Sequence, residues 1–156
     1  YHALKTLAEK AKIHPKIMTG LPWNETWYMA GGKSNLAQLI ADAGGDYLWK
    51  ELRTSEAEPL STEVVFDKAQ KADLWLHPGA ANNKQEILYV DPRLKNLKVF
   101  QNANIYNNNN IRNEHGGNDY WESGVTHPHL VLQDIIHIFH PELAPDHTLL
   151  YYKKME

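Results

Sequence analysis

The sequence predicts an α/β domain of three layers, with a mainly parallel central sheet and helices on both faces. Three observations carry that prediction. Short apolar runs alternate with amphipathic helical runs along the chain. Glycine and proline punctuate the junctions between them. The length, 156 residues, suits one domain with a substantial core.

Residues 1–12, YHALKTLAEKAK, place Leu4, Leu7, Ala8 and Ala11 on one helical face. No capping residue precedes this helix and the first residue is not Met, so the expectation is a fragment whose N-terminal part is missing. HPKIMTGLP reads as a short strand entered through Pro15, and ETWYMAGG either extends it or pairs beside it before Gly31 and Gly32 turn the chain. In KSNLAQLIADAGG, Leu36, Leu39, Ile40 and Ala43 fall at i, i+3, i+4 and i+7, with Gly44 and Gly45 as a stop signal. YLWKELRTSEAEPL has no sustained period and is expected to be loop. It ends at Ser61, which caps a helix through TEVVFDKAQK with Glu63 in its first turn. ADLWLHPG is a strand broken by Pro78 and Gly79, and KQEILYVDPRLKNL is helical with a break at Pro92. KVFQN and NIYN are expected strands. After a long amide-rich stretch, THPHLVLQDIIHIFHPEL is a helix with Thr126 as its cap, Pro128 in its first turn, and Leu132, Ile135, Ile136 and Phe139 facing a core.

Composition excludes several functions. The net charge is -3, the pI is near 6.3, and the 16 Lys and Arg residues are scattered, so nucleic acid is not an expected partner. With no cysteine there is no disulfide or thiol chemistry, and the compartment stays open on that count. No apolar run approaches the roughly 18 residues of a membrane span, and the first residues do not form a signal peptide. Nine histidines invite a metal hypothesis. Yet His137 and His140 are merely three apart, His127 and His129 flank a proline, and no H-E-x-x-H spacing occurs, so no metal site is expected. The chain also lacks a G-x-S-x-G elbow, a Walker loop and G-x-G-x-x-G, and Glu56 and Glu58 read as solvated charges. It is not expected to be an enzyme or to carry a cofactor.

Two stretches could hold a ligand. NANIYNNNNIRNEHGGNDYWESG follows a strand and precedes a helix, the position where parallel α/β domains present ligand-facing loops. Its amides and rings, among them Tyr106, Asn108, Asn109, Asn118, Asp119 and Trp121, suit a large ligand with flat apolar surface and polar edges. A turn-rich surface loop anchored by Trp121 fits the same residues. In PWNETWYMAGG, Trp23, Trp27 and Tyr28 either line a cleft or contribute rings to the core.

In order and spacing, WYMAGGKSNLAQLIADAGGDYLW, PLSTEVVFDKAQKADLWLHPG, DPRLKNLKVFQNANIYN and THPHLVLQDIIHIFHPEL resemble the C-terminal lobe of periplasmic substrate-binding proteins that feed ABC importers of ferric siderophores, haem and cobalamin. The resemblance spans residues 16 to 143. It implies a Rossmann-like lobe over residues 13–156, with residues 1–12 as the end of a long helix that links it to an absent N-terminal lobe. It implies a monomer outside the cytoplasm, lipid-anchored in its full-length form, that captures an iron complex or cobalamin between the lobes and delivers it to membrane permease subunits. Glu63 matches the acidic residue by which such a lobe docks on permease arginines, and it equally suits a first helical turn. Some cobalamin binders place a tryptophan shortly before that Glu, where SEAEPL has none. Under this reading Trp121 and Tyr106 stack on the ligand and Asn108, Asn109 and Asn118 bond to it. A metal-ion receptor and a carbohydrate-binding module are the alternatives.

Overall fold

The structure is a computed structural model that describes residues 1–112 and 115–156. Helix α1 (His2–Ala8) leads into β1 (Lys16–Thr19), and a hairpin of β2 (Pro22–Trp23) and β3 (Thr26–Met29) precedes α2 (Asn35–Asp42) and β4 (Asp46–Tyr47). Strand β5 (Glu58–Ser61) runs directly into α3 (Thr62–Ala69), and β6 (Leu74–Leu76) follows. Helix α4 (Lys84–Val90), a 3-10 turn at Pro92–Asn96 and α5 (Lys98–Gln101) connect to β7 (Ile105–Asn107). A 3-10 turn at Asp119–Trp121, then α6 (Ser123–Thr126) and α7 (Pro128–Phe139), lead to a turn at Pro141–Leu143 and to β8 (Lys153–Lys154).

The central sheet has the order β4-β1-β6-β7-β8, parallel except for β8. The chain moves from β1 outward to β4, then crosses β1 to reach β6. Right-handed crossovers therefore put α2 and α3 on opposite faces. Helix α7 packs on both α1 and α2. The expected three-layer α/β lobe is thus present, and its strand order reverses between β1 and β6. Such a switch point opens a crevice beyond the carboxyl ends of the two strands.

The elements form for local reasons. Ser61 Oγ accepts from Val64 N at 3.3 Å, so its predicted cap stands, and Ser34 Oγ caps α2 in the same way, accepting from Ala37 N at 3.1 Å. Beyond α2, Gly44 takes φ +81°, a left-handed stop that a side chain would strain. All of β6 is buried, as a central parallel strand requires, and Trp75 and Leu76 pack with Ile17, Met18, Ile105, Ile40, Val65 and Ile135 in one core.

Four local expectations need correction. KVFQN is helical: Asn102 N donates to Lys98 O at 2.9 Å, a bond four residues back along the chain that a strand does not make, and Val99 and Phe100 are buried. Residues 58–61 are not loop but pair antiparallel with β3, making a second sheet of order β2-β3-β5. Thr126 does not cap α7. Its hydroxyl donates to Ser123 O at 2.9 Å and closes α6, while α7 starts from His127 with Pro128 in its first turn. Helix α1 stops at Ala8 and unwinds through shorter turn bonds at Lys10 and Ala11.

Candidate functional site

Strand β6 ends at Leu76, and His77 takes φ +56°, a conformation costly for a residue with a side chain and one that clusters at functional sites. Its backbone joins the strand ends. His77 N donates to Tyr106 O at 3.1 Å, and His77 O accepts from Gly20 N at 3.0 Å and Gly79 N at 2.8 Å. Gly79 sits against Leu21, where an added Cβ would lie 2.9 Å from its side chain. The loops after β1 and β6 are therefore in contact at the switch point.

The asparagine run continues from β7 and wraps this junction. Asn107 Nδ2 donates to Gly79 O at 3.2 Å and Ala81 O at 2.8 Å. Asn109 Nδ2 donates to Ala81 O at 3.2 Å and Asn82 Oδ1 at 3.1 Å, and Asn110 Nδ2 donates to Leu150 O at 3.0 Å. Asn82 in turn holds the start of α4, with its N–H 2.9 Å and its Nδ2 3.1 Å from the Glu86 carboxylate. Three amides of the run, Asn107, Asn109 and Asn110, thus serve the backbone of neighbouring loops. They shape a hollow of about 480 Å³ whose wall includes Asn108, Asn109, Asn118, Arg112, Trp121 and His77.

Of the predicted site residues, Asn108, Asn109, Asn118 and Trp121 come together here. Trp121 is 64% exposed and meets the buried Tyr120 ring edge-on at 4.8 Å. Asn118 has a structural duty as well, and Asp119, which does not line the hollow, has one of its own. Asn118 Oδ1 accepts from Tyr120 N at 3.0 Å, and Asp119 Oδ2 accepts from Ser123 Oγ at 2.6 Å. Tyr106 lies half-buried on β7 against the core and does not line the hollow; burial raises its phenol pKa.

The tryptophan cluster divides. Trp27 is fully buried, its Nε1 donates to Thr19 O at 3.0 Å, and its ring packs on Trp75 and Phe66 at 6.2 and 6.4 Å. It is a core residue, which corrects its place among the ligand candidates. Strand alternation turns its neighbour Tyr28 outward, and Trp23 at the hairpin end is 68% exposed. Trp23 borders a smaller hollow of about 320 Å³ with Asn24, Glu25, Val90 and Asp91. Arg93 closes this region, 2.7 Å from Asp91 and 3.3 Å from Glu25. Glu63 stands exposed in the first turn of α3 and lines neither hollow.

His77 escaped the sequence reading. Its signal is a polar residue wedged between a buried strand and Pro-Gly. Its Nε2 lies 2.6 Å from the Tyr152 hydroxyl, its ring stacks on Tyr152 at 5.4 Å, and Tyr120 meets it edge-on at 5.4 Å. Burial holds its pKa down at about 4 and pushes the Tyr152 phenol well above its usual range. The folded chain keeps this imidazole neutral at pH values where the unfolded chain protonates it. Its contribution to stability is therefore lost as pH falls from about 6.5 toward 4, by on the order of 3 kcal/mol in all. Urea unfolding at pH 7 and pH 5 should show a steeper loss for the native chain than for His77→Asn, a replacement that tolerates the left-handed backbone.

A larger hollow, about 630 Å³, lies elsewhere, along α1, α2 and β4, and it includes none of the predicted ligand residues. Side-chain chemistry and a place beyond the carboxyl ends of parallel strands, not size, single out the β6–β7 loops. No group of three or more metal-binding side chains occurs among the described residues.

The fold is that of a lobe of the TroA-like periplasmic binding proteins. The TroA-like periplasmic binding protein FepB from Veillonella parvula superposes with a TM-score of 0.65 at 16% identity, over 99% of this chain and 52% of its own. The periplasmic heme-binding protein RhuT from Roseiflexus sp. RS-1 does so with a TM-score of 0.65 at 21% identity, over 91% of this chain and 52% of its own. In sequence, an uncharacterized lipoprotein of Methanocaldococcus jannaschii is 24% identical over 136 residues, 85% of this chain and 31% of the relative. The chain therefore spans about half the length of these solved structures and about a third of the curated relative. No family model matches it.

Proposed function

We propose that the chain is the C-terminal lobe of a two-lobed solute-binding component of an ABC importer. It supplies one wall of a cleft that captures a ferric siderophore, haem or cobalamin, and it makes and breaks no bond. The observation that carries this reading is the hollow beyond the carboxyl ends of β6 and β7, where exposed Trp121 stands among buried amides one strand along from the strand-order switch. The binding-protein fold supports it, as does the lipoprotein relative, which fits a lipid-anchored extracytoplasmic protein. Helix α1 is the end of the helix joining the two lobes. Glu63, exposed where α3 begins, is the contact for permease arginines.

Titration with cobalamin, haemin and several ferric siderophores, followed by tryptophan emission with inner-filter correction, tests the proposal. Saturable one-to-one binding of one of them is expected. Indifference to all of them, with saturable binding of a saccharide or a bare metal ion, would overturn it.

A further inference from the structure

We infer that Asn109 and Arg112 together read a carboxamide, or another neutral group carrying an N–H beside a C=O, on the captured solute. The inference rests on the solute-binding reading above. Asn109 is 5% exposed and lies on the wall of the hollow. Its Nδ2 is committed to Ala81 O and Asn82 Oδ1, which fixes the orientation of the amide. Its Oδ1 is buried and accepts no hydrogen bond. Buried acceptors are nearly always paired, so an orphan on a ligand-facing wall points to a donor brought by the ligand.

Arg112 stands beside it. Its Nη2 donates to the same Asn82 Oδ1 at 2.6 Å, so the guanidinium and the Asn109 amide converge on one oxygen, and both residues line the hollow. An unpaired acceptor next to a cationic donor discriminates among ligand groups. A carboxylate would satisfy Arg112 but set its lone pairs against Asn109 Oδ1. An ammonium would satisfy Asn109 but meet the positive charge of Arg112. A carboxamide satisfies both, giving its N–H to Asn109 and accepting from Arg112 at its carbonyl. Trp121 offers its exposed ring to the apolar body that carries the amide.

Two matched probes test this: dicyanocobinamide, whose corrin rim carries carboxamides, and dicyanocobyrinic acid, whose rim carries carboxylates. Tryptophan emission is followed with inner-filter correction. The chain carries a net charge of -3, which alone disfavours a polycarboxylate, so the response to substitution is the decisive quantity. Arg112→Gln, at an exposed position, is expected to weaken the amide probe about tenfold with the melting temperature unchanged. Asn109→Leu, in protein shown to be folded by circular dichroism, is expected to narrow the preference for amide over carboxylate by about tenfold. Binding of the amide probe that neither substitution alters would overturn the inference and leave the solute-binding reading standing. Failure of both probes, haemin and ferric siderophores to bind would overturn both.

Discussion

Asp134→Ala is expected to destabilise the chain by at least about 3 kcal/mol, the range seen when a buried charged partner is removed. Asp134 lies on α7 with no exposure. Its carboxylate accepts from Leu150 N at 3.0 and 3.1 Å, Tyr151 N at 2.7 Å and Tyr152 N at 3.1 Å, and it lies 2.6 Å from His147 Nε2. One side chain thus fastens the C-terminal segment, including the approach to β8, to the central helix. Alanine would leave those donors without their acceptor, two of them on the buried residues Tyr151 and Tyr152. The melting temperature should fall by on the order of 10 °C for a domain of this size, measured by circular dichroism. The damage should reach the candidate site, because Tyr152 supports His77 and Asn110 Nδ2 is bonded to Leu150 O. A change of under about 1 kcal/mol would mean that the segment is held by its apolar contacts alone.

Trp27→Ala and Trp121→Ala should separate folding from binding. Trp27 fills the core between the two sheets, and its loss should cost about 3–5 kcal/mol by opening a cavity that the surrounding rings cannot close. Trp121 is mostly in solvent, so its loss should change stability by no more than about 0.5 kcal/mol. Solute affinity should nevertheless fall at least about tenfold. Paired urea unfolding and titration of each variant give both quantities. Equal losses of stability and affinity in Trp121→Ala would make that residue a structural anchor of its loop.

The layered fold was legible because its central elements are long or wholly apolar. The i, i+3, i+4, i+7 stripe of α2 and the buried run of β6 each had one physical interpretation. Strands β4 and β8 have two residues apiece, too few to show any period, and their pairing is decided by distant partners. Strand β5 was hidden for a related reason: EPLS takes its order from β3, not from its own alternation. At the candidate site, the asparagine run pointed to loops that line a hollow without showing which amides serve the fold. Asn107 and Asn110 are occupied with the backbone of other loops, a fact that resides in contacts 26 to 40 residues away. His77 was invisible because its significance lies in a positive φ and in a tyrosine 75 residues further on.

On the proposed function, solute binds at the loops beyond β6 and β7 and not in the larger hollow along α1, α2 and β4. The most direct measurement is the NMR spectrum of the chain on titration with haemin or a ferric siderophore, since bound paramagnetic iron broadens the resonances of nearby nuclei. The expected result is selective broadening of the Trp121 indole and of the Asn109 and Asn118 side-chain amides, with Lys5, Ala41 and Tyr47 left sharp. Broadening centred on Lys5, Ala41 and Tyr47, with the Trp121 indole unaffected, would contradict it.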